Sequence, residues 1–277
     1  MAVPSQANVD DVMLLAKDIL DMVEPSLKEK SEAERKEIDD IMRKCVSKEI
    51  QLTNALGDIS EMPDEEVFGK MKTLLSDDDF KMISGYVDQE TYTMDIKGSE
   101  ATVQRGGQKF LESVQLTSLA SITDSSTVQI VSLVVECVLF VVGCIGIKVH
   151  IKESVLRKII TEVMPAMKQP AFQRIINTFL RSWKNGSALD KAKAIFNLVK
   201  ETNSLGIFWK IIKMAFKEMR WWEYARAIAE ITALIIAAFA TGGAALVAKI
   251  ALSVSDAVNI TRKVINLAQL QDMAKAF

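Results

Sequence analysis

Apolar residues recur at three- and four-residue spacing through most of this chain, with charged residues between them, which is the pattern of amphipathic helices. Val9, Val12, Met13, Ala16, Ile19, Leu20 and Val23 make one such stripe, and Pro25 marks its end because the residue before a proline is disfavoured in a helix. A second helix is expected to start at Ser31, with Glu34 completing a capping box three positions on. It runs through Ile38, Ile41, Met42, Cys45, Val46, Ile50 and Leu52 to about Leu56, with Gly57 as its stop. Acids after Pro63 predict a third helix, since they meet the positive end of its dipole, and Ser76 caps a fourth ahead of Asp77, Asp78 and Asp79. Residues 88–107, polar and aperiodic with Gly98, Gly106 and Gly107, read as a loop or hairpin, followed by a helix from about Gln108 to Leu119.

Two longer apolar runs stand out in the second half. Within 127–147 the only charged side chain is Glu136, and at about 1.5 Å rise per residue a helix of that length reaches across a hydrocarbon core of roughly 30 Å. Its many valines, and the alternation in Ile147, Lys148, Val149, His150 and Ile151, would also suit a strand. Gln129, Ser132 and Glu136, at steps of three and four, instead line one face of a helix. A charged acid in lipid costs about 2–3 kcal/mol, so the segment suits packing against protein in at least one state. A core helix wrapped on all sides is the other reading of the same run. The second run, 231–248, is uncharged between Glu230 and Lys249. Phe239, Gly242 and Gly243 sit at its middle, where paired glycines either break a helix into a hairpin or admit a neighbour closely.

Just before the second run lies a stretch with both basic and aromatic character. Lys210, Lys213, Lys217 and Arg220 recur at three- and four-residue intervals on one expected face, with Phe208, Ile211, Ile212, Ala215, Met219 and Trp222 on the other. Trp209, Trp221 and Trp222 are three of the four tryptophans of the chain. Lysines meeting headgroups while rings sink between them is what a helix in a lipid interface requires. An ordinary surface helix, its cations facing the acidic half of the chain, fits the same residues.

Charge changes the picture more than length does. Through Ala120 there are 25 acidic against 14 basic residues, and from Ser121 onward 11 against 20, so a total of −2 conceals a dipolar chain of 277 residues. Nearly half of the residues are apolar, ample for a core, and the 12 glycines and 5 prolines are too few for a protein of many short strands. The odd set Cys45, Cys137 and Cys144 argues against a disulfide framework and suits a reducing compartment. The first residues lack the basic and apolar regions of a secretory signal, so synthesis in the cytoplasm is expected, with peripheral or inserted membrane association.

Catalytic chemistry finds little support. His150 is the single histidine and has no nucleophile or metal partner at a diagnostic spacing, and no glycine-rich phosphate loop follows a strand. The aspartates 77–79 lack the alternating ligands and central glycine of a calcium loop and read as a helix start. No enzyme activity, cofactor, metal or nucleic-acid partner is therefore expected.

The expected fold is all-α, a multi-helix bundle with two long apolar helices in its C-terminal half. An acidic amphipathic region spans 1–107, and a basic, apolar region spans 108–277 with membrane-inserting segments 127–147 and 231–248. In outline, about 127–260 resembles the α-helical pore-forming proteins, whose soluble forms hide apolar helices inside a bundle. The resemblance is one of architecture alone; the charge split, the basic and aromatic stretch and the two apolar runs themselves predict a soluble form that converts on anionic lipid into a membrane-bound homo-oligomer, with Gln129, Ser132 and Glu136 lining a pore. Low pH is one expected trigger. The alternative is a soluble binding or scaffold protein, holding an apolar ligand or forming an oligomer interface, whose apolar helices are permanent core. A third reading is an integral protein with two spans.

Overall fold

The structure is a computed structural model that describes residues 8–83, 92–97, 100–105, 108–115, 125–147, 153–163, 165 and 170–254. Helix α1 spans Val9–Val23, capped by Asn8 and closed ahead of Pro25, and a 3₁₀ turn over Pro25–Glu29 leads to α2, Glu32–Leu56. The capping box of α2 forms as the spacing predicts: Ser31 Oγ accepts from the Glu34 amide at 3.3 Å, and the Glu34 carboxylate accepts from the Ser31 amide at 3.0 Å. Helices α3, Asp64–Leu74, and α4, Asp77–Ile83, start where their acids and Ser76 place them, with Ser76 Oγ accepting from the Asp79 amide at 3.1 Å.

Next come β1, Tyr92–Lys97, β2, Glu100–Arg105, and β3, Gln108–Gln115, forming an antiparallel sheet in that order. Of the loop or hairpin expected over 88–107, the described residues form the antiparallel pair β1 and β2, with residues 88–91, 98–99 and 106–107 outside the described set. The helix expected from Gln108 to Leu119 is corrected: its described part is strand β3. Arg105 pairs with Gln108, leaving only Gly106 and Gly107 between β2 and β3, and a two-residue Gly-Gly connection favours a hairpin over a helix start. Local helical spacing loses here to strand pairing.

The rest is helical: α5, Ser125–Cys144; α6, Glu153–Val163; α7, Pro170–Asn185; α8, Ala188–Ser204; α9, Ile207–Phe216; α10, Trp221–Ala240; and α11, Ala244–Ser253. The chain is thus an all-α bundle in class, with one small sheet inserted between its acidic and basic halves. A single apolar core joins both halves. Helix α2 lies along α10 and touches α11, α1 covers α2 and α10, and α5 is held among α6, α8, α9 and α11.

Candidate membrane-active segments and their cover

Helix α5 carries the first apolar run. Val131, Leu133, Val134, Val135, Cys137, Val138, Val141 and Val142 are fully buried, so the helix is wrapped on most of its circumference, as a segment apolar all round must be in water. Its outward strip is narrow: Ser132, Glu136 and Phe140 are half-buried and Gly143 is exposed, at spacings of four, four and three. Two of the three polar residues expected to share a face therefore do so. Gln129 belongs to the same helix, with its side chain outside the described set. The helix stops at Cys144, and the alternating residues 148–151, His150 included, lie outside the described set.

The second run is not one helix. Helix α10 ends at Ala240, Gly242 and Gly243 take φ of 82° and 79°, and α11 leaves at 115° to α10. Left-handed φ at two successive positions is open to glycine and strained for other residues. Gly243 also realises the second role expected of the pair, because a Cβ there would sit 2.3 Å from the Phe196 ring of α8. Phe239, half-buried, meets Phe196 edge-on with ring centroids 5.6 Å apart. Among the described residues no single helix is long and apolar enough to cross a bilayer, although α10 and α11 together reach that length and composition. The buried hydroxyls of Thr232 in α10 and of Thr241 at its C-terminal cap donate to Ile228 O at 2.7 Å and Ala237 O at 2.8 Å, so the helix backbone satisfies both.

The basic and aromatic stretch differs from the single helix expected of it. Residues 217–220 form a turn between α9 and α10, so Lys217 and Arg220 do not continue the face of Lys210 and Lys213. The apolar face of α9 is sunk: Phe208, Ile211, Ile212 and Phe216 are fully buried, and the half-buried Trp209 ring stacks edge-on against Phe208 at 4.8 Å. With that face held in the bundle, the chain turns after Phe216 and α10 starts at Trp221 to run along α2. At the corner Met219 and Trp221 are each 37% exposed, Lys217 and Arg220 are exposed, and Trp222 is half-buried.

Three of the four cations have described partners. Lys210 meets the Glu162 carboxylate of α6 at 3.0 Å, and Arg220 pairs with Glu223. Lys213 reaches across to the acidic half, donating to Val23 O at 2.8 Å, with Glu24 Oε2 at 4.0 Å. Glu24 is a small hub, also receiving Tyr224 OH at 2.7 Å and Ser26 Oγ at 2.6 Å. Burial alone would raise its pKa, but those two hydroxyls and the Lys213 charge outweigh burial and hold the carboxyl below the usual range. Tyr224 is pushed up, by burial first and then by its bond to that carboxylate. Lys30 adds another tie, its ammonium 4.4 Å from the centre of the Trp221 ring.

Further ties between the halves escaped the sequence reading. Asp64 accepts from the Ala188 and Leu189 amides at 2.8 and 3.3 Å, capping α8 from the start of α3. Lys193 donates to Ser60 O at 2.8 Å. Deepest is Glu49 of α2 paired with Lys249 of α11, with side-chain exposures of 1% and 7%. Glu49 carried a readable signal: Met42, Val46, Ile50, Thr53 and Leu56 are its neighbours on the inward stripe, so a carboxylate at that phase needs a partner from another element. Which element supplies it was not readable.

Among the described residues no group of three or more His, Cys, Asp or Glu side chains could hold a metal ion. Burial and the Glu230 carboxylate push the Cys45 thiol up to about 11, which makes it a poor nucleophile. The chain matches no known protein family, no curated protein and no solved structure significantly.

Proposed function

We propose that this protein is a membrane-active helical protein, stored as a closed bundle and converted on anionic lipid into a membrane-bound, oligomeric, pore-forming state. The observation that carries this reading is how the α10–α11 pair is kept. It has the length and composition of a span, satisfies the buried hydroxyls of Thr232 and Thr241 internally, and lies bent at a glycine pair beneath an acidic cover tied on by polar bonds. Buried hydroxyls need partners in a protein core as well, but a partner inside the same helix travels with it into lipid, whereas one on a neighbouring helix would be left behind.

The corner over 217–221 is the first point of contact in this reading. Lys217 and Arg220 approach headgroups, at about 1 kcal/mol per residue near an anionic surface, while Met219 and Trp221 enter the interface. Helix α5 follows, with Ser132 and Glu136 turned toward a pore and its valines toward lipid. The alternative, a binding or scaffold protein with permanent apolar core, is the outcome the test would otherwise return.

Dye release from anionic and neutral liposomes decides between them. Release confined to anionic vesicles, and lowered at least tenfold in a Lys217→Glu, Met219→Ser, Trp221→Ala variant of unchanged helical content, supports the proposal. Absence of both release and co-sedimentation in the unaltered protein would replace it with the scaffold reading.

A further inference from the structure

Helix α2 packs along α10 and against α11, and all three helices carry mostly apolar buried residues, among them Met42, Val46 and Ile50 of α2, Ile228 and Ile235 of α10 and Leu246 of α11. A polar line interrupts this packing. Cys45, Glu49 and Thr53 stand at steps of four along α2, so they stack on one face, and Lys249 of α11 closes on Glu49. Glu230 of α10 also faces the line, close enough to raise the Cys45 thiol. Glu49 Oε1 and Thr53 Oγ1 are buried with no hydrogen-bond partner among the described residues. In addition, the Ser253 hydroxyl of α11 donates to the Ile83 carbonyl at the end of α4.

A buried ion pair holds register strongly against loss of one partner, yet contributes little net stability, because separating it returns both charges to water. Two unpartnered oxygens beside it lean the same way: each gains a hydrogen bond when the interface opens. The rest of the α10–α11 surface against α2 has no such compensation and must be peeled at the full cost of exposing apolar area. The interface therefore specifies one closed register while being easier to part than its apolar area implies.

We infer that the Glu49–Lys249 line is a release seam, along which α1 and α2 separate from α10 and α11 as a unit while α5, α6, α8 and α9 stay packed. The purpose assigned to this opening rests on the membrane-active reading. The seam itself does not. On parting, Lys249 sits at the far end of the uncharged run, where its long stem lets the ammonium reach water or headgroups beside a buried helix.

Hydrogen exchange read by mass spectrometry on the full chain, in buffer without lipid, tests the seam. The double variant Glu49→Leu, Lys249→Met replaces the pair by apolar side chains of similar size. Exchange in α2, α10 and α11 is expected to slow roughly tenfold or more, with α6 and α9 unchanged. The single variant Lys249→Met leaves a lone buried carboxylate and is expected to speed exchange in the same three helices; if it fails to fold, the double variant decides alone. Exchange in α10 and α11 that stays at the unaltered rate in the double variant, or that changes uniformly over the chain, overturns the inference. Liposome release from the unaltered protein is scored separately. Slowed exchange in the double variant with no release from the unaltered protein would remove the membrane-active reading and leave the seam standing.

Discussion

The two apolar segments look alike along the chain and share one apolar core, yet they differ in shape and in the polar ties described for them. Helix α5 is one unbroken helix packed against four others, its described valines, Leu133 and cysteines buried and Ser132 and Glu136 on a narrow half-buried strip. The α10–α11 pair is bent, packs its apolar residues against α1, α2 and α8, and adds to that packing an ion pair, a serine and a glutamate hub. Hydropathy sets how much of a segment must be hidden, and the placement of its polar atoms sets how easily it is uncovered.

The largest effect that would sharpen this contrast comes from Lys249→Ala, which strands Glu49. It is expected to cost about 3–5 kcal/mol in urea unfolding, most of it recovered by adding Glu49→Leu. Leu133→Ala in α5 is expected to cost about 2–5 kcal/mol by cavity formation, with no second substitution that restores it by removing a partner. A double-mutant cycle that found no coupling between positions 49 and 249 would break the comparison. Gly243→Ala comes next, at about 2–3 kcal/mol from left-handed backbone together with the approach to Phe196, checked by the fall in melting temperature. Asp64→Ala removes a cap shared between the halves and is expected to cost about 1 kcal/mol.

The smallest effects are in pH dependence, and the two carboxylates concerned have opposite signs. Glu24 is held below its usual pKa, so the stability it adds is present above the unfolded carboxylate range, about pH 4.3, and is lost as pH falls through its folded value. Glu230 is raised by desolvation, only partly offset by Arg226, so it costs stability at neutral pH, and that cost disappears as pH falls through its raised value. Glu24→Gln is expected to lower, and Glu230→Gln to raise, the denaturant midpoint at pH 7. Both differences shrink on acidification. Protonation is thus expected to loosen the closed form at Glu24 and to strengthen it at Glu230.

Much of the helical order was legible because its causes are local. Pro25, the Ser31–Glu34 box, Gly57, the acids after Pro63 and Ser76 each act within one turn of chain; the first helix ends, the second begins and ends, and the third and fourth begin where those residues place them. The strand at Gln108–Gln115 was not legible, because a strand is stabilised by its neighbour in space, and neither was the break after Phe216. Of the residues singled out for function, Ser132 and Glu136 share a face as their spacing requires, and Gly242 and Gly243 turn the chain as paired glycines do. The basic face was only half legible, since Lys210 and Lys213 lie on α9 while Lys217 and Arg220 lie beyond its end.

What the sequence determined by itself was class and inventory: helices with apolar faces, two segments too apolar to stand in water, and an acidic half opposite a basic one. These follow from periodicity, hydropathy and charge, which each residue carries regardless of its neighbours in space. Only the tertiary structure decided which acid answers which base. Glu24 takes Lys213 and Tyr224, Asp64 takes the start of α8, and Glu49 takes Lys249 across 200 positions of chain. Such pairings have no local cause, because the attraction that forms them acts over a few ångströms, a distance set by how the helices pack.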